Sequence, residues 1–166
     1  MLKTFFKINQ VLIKFLELVV IIVTGLLVLD VVWQVFTRYI LRNPSTWTDE
    51  LAVMLLIWVS LLGASVGFIR SSHLGVDFVV NKLVGQKRTI AEIAAYILIA
   101  LFALFVLVYG GYRLVSVTLI TQQTSAALRV KMGYVYAAIP ISGVFILLFC
   151  VQTVIQKVKS LGERLS

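Results

Sequence analysis

Residues 36–77 read FTRYILRNPSTWTDELAVMLLIWVSLLGASVGFIRSSHLGVD, and they decide the fold. From Leu51 to Phe68 there is no ionisable side chain. Polar residues gather at the two ends, with Trp47, Asp49 and Glu50 at one and Arg70, His73 and Asp77 at the other. The pattern predicts a transmembrane helix with two different polar surfaces, each a place for another protein to recognise it.

The rest of the chain agrees with that reading. Of 166 residues, 61% are hydrophobic and only 13% are charged, about half the charged share of a soluble domain, which is about 25%. At about 20 apolar residues per crossing the chain has room for four helices and short loops. No extramembrane catalytic domain fits. The net charge of +8 would suggest nucleic acid in a soluble protein, but here the cations are dispersed around apolar segments and explain topology instead, so no nucleic-acid partner is expected. Cys150 is the single cysteine; it has no intrachain partner and reads as a small packing residue. Lys3 and Lys7 precede an apolar stretch that superficially resembles a signal peptide. That stretch runs to about Phe36, far beyond an h-region of about 7–15 residues, and is expected to remain as the first helix.

The expected fold is therefore an all-α integral membrane protein, residues 1–166 forming a single transmembrane domain. Its helices are placed at about 11–36, 46–69, 89–119 and 133–156. A short amphipathic segment at about 73–85, too short to span, is expected to lie in the interface. Pro44 blocks continuation of the first helix, Ser45 or Thr46 caps the second, and Asp49 and Glu50 complement its positive end. Ten Lys and Arg residues fall on one side (Lys3, Lys7, Lys14, Arg70, Lys82, Lys87, Arg88, Lys157, Lys159, Arg164) and four on the other (Arg38, Arg42, Arg129, Lys131). Both termini are accordingly expected to be cytoplasmic.

Intramembrane charges are costly unless paired, and they are the first candidates for a role. Asp30 and Arg113 each sit about six residues before the outer end of their helix, so they are expected to form a buried ion pair. Glu17 has Lys14 one turn earlier and can pair or snorkel near the membrane edge. His73 is the sole histidine, placed to meet Asp77 at i+4 or a second subunit. With one histidine and no His/Cys/carboxylate cluster, haem, metal and nucleophilic catalysis are not expected. Gly63 and Gly67 form a GxxxG face with Ala64, and Gly110 with Gly111 offers another close approach; packing within the chain and against a separate subunit are both open. Pro140 should bend the last helix and leave the Tyr136 carbonyl without its usual donor, making a notch for a lipid or a neighbouring helix. Trp33 and Trp58 are expected in internal packing, and Trp47 at the interface.

The ordered set of Arg38-Tyr39, Trp47, Asp49-Glu50-Leu51, Trp58, Gly63-Ala64, Arg70, His73 and Asp77, with Tyr136 and Pro140 in the last helix, resembles the small membrane subunit, DctQ type, of the tripartite ATP-independent periplasmic (TRAP) transporters. The likeness extends over most of the chain. It implies a bacterial inner-membrane subunit, not an enzyme, that binds no cofactor and translocates nothing itself. Its expected partners are membrane lipids, a large membrane subunit holding the substrate and sodium sites, and a periplasmic substrate-binding protein. The cargo would be an organic acid such as a C4-dicarboxylate or sialic acid. On this reading Trp47, Asp49, Glu50, Trp58, Gly63, Gly67, His73 and Pro140 serve the large-subunit interface or helix packing, and Arg42, Asn43, Arg129 and Lys131 help dock the binding protein. Two other readings remain at this point, a small four-helix multidrug-type antiporter centred on Glu17 and a membrane anchor or assembly protein without transport.

Overall fold

A computed structural model describes residues 2–43, 45–70 and 86–165. The interfacial segment expected at 73–85, including His73 and Asp77, and also Pro44, lie outside the described residues. Four helices are long and apolar enough to cross a membrane, over Gln10–Tyr39, Thr46–Arg70, Arg88–Ile120 and Met132–Lys159. Helix α1 (Leu2–Tyr39) and α2 (Thr46–Arg70) make the first two spans. The third comprises α3 (Gln86–Phe102), a π-helical stretch, π1 (Ala103–Gly110), and α4 (Gly111–Ile120). The fourth comprises α5 (Met132–Tyr136) and α6 (Ala138–Leu165).

The spans do not close into a four-cornered bundle. Helix α1 packs on α2, α2 packs on α6, and the third span packs along α6 with its outer end on α5. Among the described residues neither α1 nor α2 touches the third span, so the molecule is a row in which α2 and the fourth span are central. The sequence explains why a row is possible. In lipid an apolar face needs no protein neighbour, so the chain can leave Ile21, Leu29, Val32 and Phe105 each more than 60% exposed without the cost they would carry in water.

What holds the row is close backbone approach and a few hydrogen bonds. A Cβ on Gly143 would lie 2.6 Å from the Leu107 Cβ, and one on Gly111 would lie 2.9 Å from the Pro140 Cδ. These glycines let π1 and α4 lie directly on the fourth span. At the loop end a Cβ on Gly133 would meet the Leu119 side chain at 2.5 Å. The helical run of the fourth span breaks at Ala137, three residues before Pro140, and Pro140 lies against Gly111 of the third span. Between α2 and α6, Ser65 Oγ donates to the Leu61 carbonyl at 3.0 Å and lies 3.4 Å from that of Ser142. Phe68 and Phe149 meet edge to face at 5.9 Å.

Among the described residues the GxxxG face makes no close contact within the chain. Nothing approaches a Cβ on Gly67 within 4 Å, Gly63 meets only Val20 at 4.0 Å, and Ala64 is exposed. Gly110 likewise meets only its own segment, at the Phe105 carbonyl. Trp33 corrects the expectation of internal packing: it is half exposed and stacks on Phe36 at 5.8 Å on the outer surface of α1. Trp58 is half-buried.

Candidate functional site

The polar residues collect at the two edges of the row, one carrying both chain termini and the other carrying the loops around residues 40–45 and 121–131. At the loop edge Arg38 lies 3.5 Å from Asp49, both half exposed, and Gln34 donates to the same carboxylate. Thr37 and Thr48 are buried beside them. The Thr48 hydroxyl donates to the Ser45 carbonyl at 2.8 Å and is 2.7 Å from the Ser45 hydroxyl, tightening the start of α2.

Glu50 does more than complement the helix start. Its two carboxylate oxygens accept the backbone N–H groups of Ala127 and Leu128, each at 2.9 Å. One side chain of α2 thereby fixes the position of the 121–131 loop. That loop is further shaped by a bridge between Thr124 and Lys131 and by hydrogen bonds from Ser125 N–H to the Val130 carbonyl and from Met132 N–H to the Gln123 carbonyl. Arg42, Gln122 and Arg129 have φ of 51°, 50° and 53°. For residues other than glycine this left-handed backbone costs about 1–2 kcal/mol, and such strain gathers where a surface has a task. Two of the three are docking candidates named from the sequence. Arg42, Asn43, Arg129 and Lys131 are all exposed, on the two loops of one edge.

At the termini edge Arg70 donates to both oxygens of Glu17, from Nε at 2.7 Å and from its terminal nitrogen at 2.8 Å. The partner of Glu17 is thus the last residue of α2, not Lys14 alone. Glu92, which the sequence reading passed over, is buried and receives Arg88 at 3.0 Å and Lys157, tying α3 to α6; the Lys157 ammonium also lies 5.9 Å from the centre of the Tyr96 ring. The Arg88-x-x-x-Glu92 spacing was the available signal.

The expected pair of Asp30 and Arg113 does not form. Asp30 is buried with its Oδ2 atom lacking any hydrogen-bond partner, and Arg113 is exposed. The reason is topological: α1 and the third span are separated sideways by α2 and the fourth span. Similar distances from helix ends do not make neighbours. Among the described residues no three His, Cys, Asp or Glu side chains converge to hold a metal. The chemistry on view is positioning, by ion pairs at two membrane edges and by one carboxylate holding a loop.

Residues 27–160 match the family described as tripartite ATP-independent periplasmic transporters, DctQ component. The chain belongs to that family. Among its relatives, the sialic acid TRAP transporter small permease protein SiaQ of Vibrio cholerae is 29% identical over 132 residues, covering 78% of this chain and 73% of that protein. A putative TRAP transporter small permease protein of Haemophilus influenzae is 29% identical over 148 residues, covering 87% of this chain and 88% of that one. The sialic acid TRAP transporter permease protein SiaT of Haemophilus influenzae is 23% identical over 119 residues, so that 72% of this chain matches 19% of SiaT.

Proposed function

We propose that this chain is the small, non-translocating membrane subunit of a sodium-coupled, binding-protein-dependent TRAP transporter for an organic acid. It enlarges the static scaffold of a large elevator-type subunit, which carries the substrate and sodium sites, and it helps dock the periplasmic binding protein. The observation that supports this most is the row itself. Its spans lie largely in a row, with α1 at one side, the third span at the other and exposed apolar faces on both, an arrangement suited to extending a larger body. Counting of cations puts both termini in the cytoplasm and the Arg42 and Arg129 loops in the periplasm. The names of SiaQ and SiaT favour sialic acid as cargo.

The test is to purify the tagged chain from its native membrane and reconstitute it with and without its companions. A large hydrophobic polypeptide should copurify, and sodium-driven uptake should need that polypeptide and the binding protein. Solute movement by this chain alone would reject the reading. The small-antiporter alternative needs an available Glu17, whereas both its oxygens are engaged by Arg70. Because an exposed ion pair contributes about 0–1 kcal/mol, Glu17→Gln should leave uptake by the complete transporter within about twofold of wild type, which a radiolabelled-substrate assay would read. Reversing a loop-edge cation should matter more. Arg42→Glu should slow capture of the loaded binding protein on the order of tenfold at low salt, with the deficit shrinking as salt rises, while the membrane pair stays intact. Capture kinetics unchanged by Arg42→Glu would remove that residue from the docking surface.

A further inference from the structure

Asp30 is an acid for which the described residues supply no counterpart. It is only 8% exposed, and its Oδ2 atom is enclosed without a hydrogen-bond partner. Its depth follows from α1 alone. The Glu17–Arg70 contact marks one polar edge and the Arg38–Asp49 contact the other, and at 1.5 Å per residue Asp30 stands about 20 Å from Glu17 and about 12 Å from Arg38 along the helix. An aspartate side chain is too short to reach either edge from there, so it cannot snorkel as lysine and arginine do.

Nothing that faces it offers a positive charge. Among the described residues α1 packs on α2 and α6. Between Leu51 and Phe68 α2 has no ionisable side chain, and between Ala138 and Gln156 α6 has Cys150 alone. Arg70 is engaged by Glu17, and Arg113 belongs to a span that α1 does not touch. Arg38, the nearest cation along α1, already faces Asp49. Gln34, one turn from Asp30 on the same face, donates to Asp49 as well. A charge on Asp30 would therefore add a second anion inward of the first, enclosed and without donors, which is the arrangement a carboxyl group escapes by keeping its proton. A neutral acid has an O–H to give, whereas a carboxylate only accepts. The helices around it take up buried hydroxyls in just this way: Thr24 and Ser65 donate to the carbonyls of Val20 and Leu61, one turn earlier, at 2.7 and 3.0 Å.

We infer that Asp30 is a neutral carboxylic acid in the folded protein at neutral pH, so that the α1–α2 hairpin is closed over a bound proton and not over an ion pair. Infrared spectra of the full-length chain in lipid test this. At about pH 7, where an aspartate in water is ionised, the wild-type chain should show the C=O stretch of a protonated carboxylic acid. Isotope-labelled aspartate should shift that band, Asp30→Asn should abolish it, and Asp49→Asn and Asp77→Asn should leave it. A second readout is stability. Unfolding the wild-type chain releases the proton to water and unfolding Asp30→Asn releases none, so the wild-type melting temperature should fall relative to that of Asp30→Asn as the pH is raised from about 5 to about 9. The isotope label needs no substitution, so the spectra decide even if the variants fold poorly. A wild-type spectrum without an aspartate band of that kind, a band that survives Asp30→Asn, or melting temperatures of the two chains that run parallel across the pH range would each overturn the inference.

Discussion

Gly143→Val is expected to lower the melting temperature of the purified chain by on the order of 5–10 °C, with Gly67→Val shifting it by no more than about 1 °C. The two glycines look alike in sequence, each small and each within a span. At Gly143 the added Cβ would stand 2.6 Å from the Leu107 Cβ and 3.2 Å from the Val108 backbone nitrogen. Neither atom belongs to a mobile side-chain tip, so relief requires moving π1 away from α6. Overpacking of this kind costs about 1–3 kcal/mol, and it strikes the contact that holds the third span in place. At Gly67 an added Cβ meets nothing within 4 Å, and the position is exposed. Thermal melting in one detergent, followed by tryptophan fluorescence, would compare them directly; equal shifts would show that the GxxxG face is packed after all.

The second large effect should follow from Glu50→Ala. This change removes both acceptors of the Ala127 and Leu128 N–H groups, and hydrogen bonds to a carboxylate are among the stronger ones. Amide exchange at Ala127 and Leu128 should accelerate on the order of tenfold or more, and residues 121–131 should become the first site of proteolytic cleavage. The helices themselves should be unchanged by circular dichroism. Because Arg129 and Lys131 ride on the same loop, docking of a binding protein should weaken in step, although neither cation has been touched. Glu50→Gln is the useful companion: it keeps an acceptor oxygen and should fall between. If exchange at Ala127 and Leu128 is the same in all three proteins, Glu50 is not what anchors the loop.

The number of spans was legible because it depends on length and hydropathy alone. What could not be read was which span lies beside which. In water a helix advertises its buried side by a stripe of apolar residues, but α1 is apolar on every side, and its sequence is silent about its neighbours. The expected pair of Asp30 and Arg113 failed for that reason, since equal distance from a helix end was the sole guide. The role of Glu50 was hidden differently, because its acceptor contacts are to backbone N–H groups 77 and 78 residues away, which any residue type supplies. Glu92 was within reach, through Arg88 four residues before it and Lys157 at the corresponding end of the last span.

The placement of α2 against α6 has a bearing on how the protein is made. Spans one and two are stitched together at both rims, by Glu17 with Arg70 and by Arg38 with Asp49, and spans three and four by Glu92 with Lys157 and by the glycine contacts. A ribosome delivering the chain from its N-terminus would thus release one finished helical hairpin before the second exists. The later pair has to find the earlier one sideways within the bilayer, where Ser65 meets Ser142 and Phe68 meets Phe149.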